Sequence, residues 1–407
     1  MADGARLSLP TRIARLPWWA QVLAIFAASR VVTTTILLVF AALQPANPWT
    51  DASPDYLSFA KIWDGHWYYI IAVVGYPTEL PLDAAGFVGE NAWAFLPAYP
   101  GVIRLLMLLT GLPFELLAVA VSVAFAAGAA LVFNRLMHRV IPESALFATV
   151  LFCVAPLSPI LQVAYAESMQ LFLLFAALLL LLERRYLLTI PVIATLALTR
   201  PGALAFAMLL GLHAIHRFVT RARDPFPMRE RVRLVVAGLA SAVFGFAWLG
   251  IAALVTGSPS AYLDTELAWR VVYVGRDHLV PFQPWFQAAD WWLRWNGVPG
   301  SAAGWLGAIL LLLLIAAFAI FLLTPAARRL GVDLRLWLVS YVAYLLAVFF
   351  PQSSVFRLLM PLAPGLGALA LPRSRVYRIL LVLVFIALQV GWTYIGWWVD
   401  GADWTPP

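Results

Sequence analysis

Long apolar runs separated by short clusters of arginine recur from one end of this chain to the other. A helix needs about 20 such residues to cross a hydrocarbon core of about 30 Å. With 63% of its 407 residues hydrophobic and 12% charged, the chain cannot present a polar surface to water. Most of it is therefore solvated by lipid, where a helix satisfies its own backbone hydrogen bonds. The lengths of the runs select helices over strands. Collagen, coiled coil and long disordered tails are excluded on the same grounds. The one cysteine, Cys153, lies in an apolar run, which leaves no intramolecular disulfide and no cysteine metal cluster.

Eleven spans are expected, at residues 18–43, 114–133, 145–161, 167–182, 187–198, 201–215, 234–255, 302–323, 334–350, 355–371 and 379–399. Together they make one integral-membrane domain over residues 1–407, an all-α polytopic fold. The first run is too long for a signal-peptide core. Two shorter apolar pieces, 56–74 and 99–109, read as helices lying along the membrane surface. With this assignment 19 of the 27 basic residues fall in cytoplasmic segments, beginning with Arg6, Arg12 and Arg15, while fourteen of the 20 acids fall outside. That is the positive-inside pattern. It predicts a cytoplasmic N-terminus and an external C-terminus. The net charge of +7 is then a matter of topology, and nucleic-acid binding has no place. Pro201 disfavours helix at Arg200, so the chain turns there at the outer face.

Two large outer loops, 44–113 and 257–301, hold most of the acids and many tryptophans. Trp285, Trp291, Trp292 and Trp295 read as an interfacial aromatic belt. In the first loop, Ser53 is expected to cap a helix with Pro54 at its first position, and Gly75 to end it. Trp63, Trp67, Ile70, Ile71 and Val74 can share its buried stripe. Asp64 stands beside them, one turn from Lys61, which offers a structural ion pair as the simplest role for it. Asp55 reads as a helix-start acid. Asp264-Thr265-Glu266 reads as solvated loop. His66 and His278 lie outside without a partner at metal-ligand spacing, and His213 and His216 sit at a cytoplasmic helix end. Arg30, near mid-span, is costly and marks either a structural pair, with an acid such as Glu167, or a functional site.

The string Trp63-Asp64-Gly65-His66-Trp67-Tyr68, followed by Ile71-Ala72 and Gly75-Tyr76-Pro77, resembles the first outer loop of the PIG-V family. These are the GPI mannosyltransferase II enzymes and their bacterial relatives, within the GT-C glycosyltransferases. Four further pieces are similar in order. They are Phe95-Leu96-Pro97-Ala98-Tyr99-Pro100 with Arg104, Tyr165-Ala166-Glu167-Ser168, Thr199-Arg200-Pro201, and Phe356-Arg357 with Leu359-Met360-Pro361. Leu96 stands where the family has an aromatic, and Phe356 precedes the arginine instead of following it.

The resemblance implies a GT-C-type bundle with interfacial helices in its first outer loop. It also implies an inverting transferase that takes a sugar, usually mannose, from a polyprenyl-phosphate donor on the outer face. The residues fit that chemistry. One carboxylate must take a proton from the acceptor hydroxyl, and Asp64 is the candidate. Arginines stabilise a leaving phosphate without metal, and Arg200, Arg357 and Arg30 are the candidates. Trp63, His66, Trp67, Tyr68, Tyr99, Arg104, Tyr165 and Glu167 are candidate substrate contacts. The sequence holds no Asp-x-Asp pair of the kind that binds metal for nucleotide-sugar transfer, so neither a metal nor a cofactor is expected.

The runner-up is the same mechanism with another sugar, such as glucose or arabinofuranose. A lipid-linked sugar transporter would place charged groups at mid-membrane in several helices, and a structural subunit would have no need of Asp64. The ratio of 26 arginines to one lysine suggests a GC-rich bacterial genome, a bacterial plasma-membrane location and a glycolipid or lipoglycan acceptor. The protein is expected to act as a monomer among membrane lipids. The topology is checked by introducing Asp83→Cys and Arg223→Cys and labelling intact cells with an impermeant thiol reagent. Position 83 should react and position 223 should not. The reverse pattern would overturn the assignment.

Overall fold

The computed structural model describes residues 16–275 and 280–399. Arg6, Arg12, Arg15 and His278 lie outside those residues. The helices of eight residues or more are α1 (Trp18–Leu43), α2 (Asp64–Val73), α3 (Ala98–Thr110), α4 (Phe114–Val140), α5 (Ala145–Cys153), α6 (Glu167–Leu182) and α7 (Tyr186–Ala197). They continue with α8 (Ala203–Val219), α9 (Met228–Thr256), α10 (Ala261–Ala268), α11 (Pro284–Trp295), α12 (Gly300–Leu323), α13 (Gly331–Val348) and α14 (Arg375–Trp392). No β-strand occurs among the described residues. Among the described residues, six helices are long and apolar enough to cross a membrane: α1, α4, α9, α12, α13, and α14 with the π-helical turn that follows it.

The other five expected spans are short or broken, and proline explains the two most broken ones. Pro156 and Pro159 end α5 at Cys153, and the chain resumes as a 3-10 turn over Ser158–Gln162. Pro361 and Pro364 split the segment after residue 355 into the turns Val355–Leu358, Met360–Gly365 and Leu366–Leu369. A proline removes a backbone donor and crowds the turn before it. Non-helical backbone at membrane depth is tolerated only where protein encloses it. Residues 158–171 are accordingly all buried.

Arg30 answers the polar groups that this break frees. Its Nη1 donates to the Ser158 carbonyl at 2.8 Å and its Nη2 to the Cys153 carbonyl at 2.9 Å. Gln389 on α14 donates to the next freed carbonyl, Val154, at 2.8 Å. Among the described residues, the mid-span arginine therefore pairs with neither Glu167 nor any other acid. It caps a broken helix end.

The first outer loop also differs from expectation. Asp55, not Ser53, caps the short helix Tyr56–Ala60, accepting from the backbone of Leu57 and Ser58. Those bonds hold its carboxyl below the usual carboxylate range. The chain then breaks at Trp63, whose φ is +62°, a rare value for a bulky residue. This restarts the helix with Asp64 as its first residue. The buried face of α2 is Asp64, Gly65, Tyr68, Ile71 and Ala72, so the apolar stripe is offset from Trp67, Ile70 and Val74. Gly65 permits close approach, since a Cβ there would stand 3.2 Å from Ala164 Cβ. Gly75, at φ +97°, follows the helix end as expected.

With 27 residues, α4 runs about 40 Å from one end of the bundle to the other. At its start Glu115 pairs with Lys61, and at its close Arg135 lies over the Trp18 ring at 4.3 Å. At the Lys61 end, the chain near 44–56 meets residues around 162 and 399. Replacing Arg30 by Ala would strand two buried carbonyls at about 1–3 kcal/mol each. Thermal unfolding in detergent should show a drop of that order, and Arg30→Lys should recover part of it. An unchanged melting temperature would remove Arg30 from this role.

Candidate functional site

Asp64 and Glu167 are each the first residue of a helix, α2 and α6, where the helix dipole favours negative charge. Arg200 sits in the tight turn before Pro201, and Arg357 in the turn Val355–Leu358. The fold brings these four residues, spread over 293 positions, into one buried cluster. Arg357 Nη1 pairs with Asp64 Oδ2, and Arg200 Nη2 with Glu167 Oε1. Cross-contacts close the group, with Arg200 Nη2 at 3.4 Å from Asp64 Oδ2 and Arg357 Nη1 at 3.7 Å from Glu167 Oε1. Asp64 is 8% exposed and Glu167 1%, and the charges cancel. Lys61 instead pairs with Glu115, so the expected Lys61–Asp64 bridge does not form.

Aromatic residues wall the cluster. The Asp64 N–H donates to Tyr165 Oη at 3.2 Å, and the Arg357 guanidinium lies over the Tyr165 ring at 5.2 Å. Tyr68 contacts Tyr99 edge-on at 5.1 Å. Tyr99 is anchored in turn, donating to the Ala118 carbonyl at 2.9 Å. Four buried polar atoms here have no partner: Tyr68 Oη, Glu167 Oε2, Arg200 Nε and Arg357 Nε. Unsatisfied buried polar atoms cost about 1–3 kcal/mol each. Four around one cluster mark a place where a polar ligand or ordered water belongs.

The remaining sequence candidates divide. Trp67 stacks on Phe95 at 5.6 Å and meets Trp269 edge-on at 5.7 Å, which extends the aromatic wall. Trp63 is buried and donates to the Trp397 carbonyl at 3.3 Å, so it fastens the break before Asp64. His66 is exposed on the side away from the cluster, beside Trp49. Partial burial and Lys61 together lower its pKa. Arg104 is exposed on α3 and makes no contact with the cluster, and Arg30 is engaged at the broken end of α5.

The segment expected to be solvated loop, Asp264-Thr265-Glu266, belongs instead to α10. Thr265 is buried and accepts from Asn91 Nδ2 at 2.9 Å. The spacing of Ala261, Thr265 and Ala268 was the available signal, since it puts small residues on one helical face. Among the described residues, no group of three or more His, Cys, Asp or Glu is placed to hold a metal ion.

No family model matches the chain, and no curated protein matches it. The solved structures similar to it at low level include two oligosaccharyltransferases. One is the crystal structure of the Archaeoglobus fulgidus oligosaccharyltransferase in complex with zinc and sulfate, with a TM-score of 0.47 and 12% identity over 91% of this chain and 54% of that one. The other is the archaeal oligosaccharyltransferase AglB from the same organism with an inhibitory peptide and a dolichol-phosphate, with a TM-score of 0.47 and 11% identity over 95% of this chain and 57% of that one. This chain thus spans little more than half the length of either.

Proposed function

We propose that the protein is a membrane glycosyltransferase. On this reading it transfers a sugar, mannose by the sequence resemblance, from a polyprenyl-phosphate donor to a hydroxyl of a glycolipid or lipoglycan on the extracytoplasmic face. The observation that carries the reading is the buried cluster, with a helix-start carboxylate, two guanidinia, and unpaired polar atoms around them. Asp64 takes the proton of the acceptor hydroxyl as that oxygen attacks the anomeric carbon from the face opposite the phosphate. The bond from that carbon to the phosphate oxygen breaks, and its electron pair leaves with the phosphate. The configuration inverts. Arg200 and Arg357 receive the growing phosphate charge, and Glu167 holds Arg200 in place for it. Both guanidinia rest on Asp64, and they pass from it to the phosphate as it takes up the proton.

Transfer is measured in membranes with labelled polyprenyl-phosphate mannose, with a chelator present. Asp64→Asn keeps the size of the side chain but cannot take the proton. Turnover should fall by about 10²–10⁴-fold. Arg200→Ala and Arg357→Ala should each weaken donor use by roughly ten- to a hundredfold, the loss of one charge-assisted contact. Asp55→Asn keeps a capping oxygen and loses only the charge at the helix start, which should cost about 0.3–1 kcal/mol of local stability. The reading fails if Asp64→Asn retains more than about a tenth of wild-type turnover.

A further inference from the structure

Next to the cluster, α10 and the residues after it carry a second set of buried polar groups. Arg270 is 6% exposed, yet its nearest acid among the described residues, Glu266, stands 3.7 Å away. Its Nη2 reaches the Val348 carbonyl only at 3.4 Å, and its Nη1 has no partner. Arg200 and Arg357, by contrast, are each held closely by a carboxylate. The neighbouring Trp269 has a buried indole Nε1 that is also unpartnered. Its ring meets Trp67, one turn along α2 from Asp64, and Phe95 at 5.9 Å. Glu266 lies within the electrostatic reach of Arg200, so the two sets share one region.

The unpaired atoms are unequal in kind. Arg200 Nε, Arg357 Nε, Arg270 Nη1 and Trp269 Nε1 are all donors, while Tyr68 Oη can donate or accept and Glu167 Oε2 is an acceptor. Sugar hydroxyls both donate and accept and would not need such an excess. An anion with several acceptor oxygens would. Charge agrees with geometry, because Asp64 and Glu167 already cancel Arg200 and Arg357. Burial raises the pKa of Glu266.

We infer that Arg270, with the Trp269 indole N–H beside it, is a phosphate-binding group that faces the Asp64 cluster and receives an oxygen of a phosphate ester. The inference rests on the transferase reading for the identity of the lipid, but not for the phosphate itself. Sequence reasoning passed over Arg270 because it lies in a loop assigned to solvent.

The test uses the full chain, purified in detergent, and measures retention of labelled polyprenyl phosphate, which carries no sugar. Inorganic phosphate and unphosphorylated polyprenol serve as competitors. Arg270→Ala should weaken polyprenyl-phosphate binding by roughly ten- to a hundredfold. Arg270→Lys, which keeps the charge, should lose less. Trp269→Phe keeps an aromatic ring but loses the N–H, and should weaken binding by about fivefold, the worth of one neutral hydrogen bond. It stands as the decisive variant if Arg270→Ala fails to fold. Competition by inorganic phosphate but not by polyprenol supports a site for the phosphate itself. Competition by polyprenol alone overturns it.

Wild-type binding that survives Arg270→Ala or Trp269→Phe unchanged overturns the inference and leaves the transferase reading intact. Failure of the wild type to bind polyprenyl phosphate overturns both. Loss of turnover in Asp64→Asn bears on the transferase reading alone.

Discussion

Two carboxylates and two guanidinia are taken out of water together at one end of this bundle, and much of the local architecture follows from that. A single buried ion carries a penalty of several kcal/mol, and stranding one by removing its partner costs about 3–5 kcal/mol. Asp64, Glu167, Arg200 and Arg357 therefore have to be positioned as a set, although they come from four distant parts of the chain. Each arrives by an interruption of regular helix. The break at Trp63 makes Asp64 the first residue of α2, and the 3-10 turn before residue 167 does the same for Glu167 on α6. The turn at Pro201 exposes Arg200 to the cluster, and the proline-split segment after residue 355 does so for Arg357. The irregular segments are the positioning devices.

Such interruptions leave backbone groups without partners, and the membrane offers none. The chain supplies side chains at the same depth. Arg30 and Gln389 cap the carbonyls after α5, and Tyr56 donates to the Gln162 carbonyl at 2.7 Å. Gln389 is itself oriented by Thr33, which donates to its Oε1 at 3.1 Å. Helices α1 and α14, which contribute nothing to the cluster directly, thus hold the segment that leads into Glu167. An arginine in mid-span reads from sequence as a functional anomaly. Here its cost is offset by bonds to two freed carbonyls.

Much of this was legible in the sequence because the signals were local. Long apolar runs and the distribution of arginine gave the helices and sorted their connections, and the connections assigned to one side gather at one end of the bundle. Asp64 stood out because its neighbours did. What remained hidden was set by tertiary context. The choice between Asp55 and Ser53 as cap depends on which residue can adopt extended backbone beside its neighbours, and Ser53 has a φ of +50°. Lys61 is one turn from Asp64 in sequence, but the break at Trp63 rotates it toward Glu115. Span lengths misled where prolines interrupted an apolar run, since hydropathy averages over a kink. Arg270 was missed because it lies just past the end of α10, in an outer segment that reads as loop, where no helical period marks it as buried.

The neutrality of the cluster bears directly on the proposed chemistry. In inverting transfer from a phosphodiester-linked sugar, the leaving phosphate gains one negative charge as the bond to the sugar breaks. In the same step Asp64 takes up the acceptor proton and loses one. The total charge of the buried site is unchanged, so little solvent reorganisation is required at the moment of reaction, which is the condition under which preorganised charges stabilise a transition state best. The guanidinium of Arg357, held on Asp64 beforehand, is released as the carboxylate is neutralised and is free to turn to the phosphate. A base with no arginine partner would take the proton while leaving the phosphate charge unmatched. An arginine with no acid partner would bind donor and product alike, and uniform binding of that kind does not accelerate the chemical step.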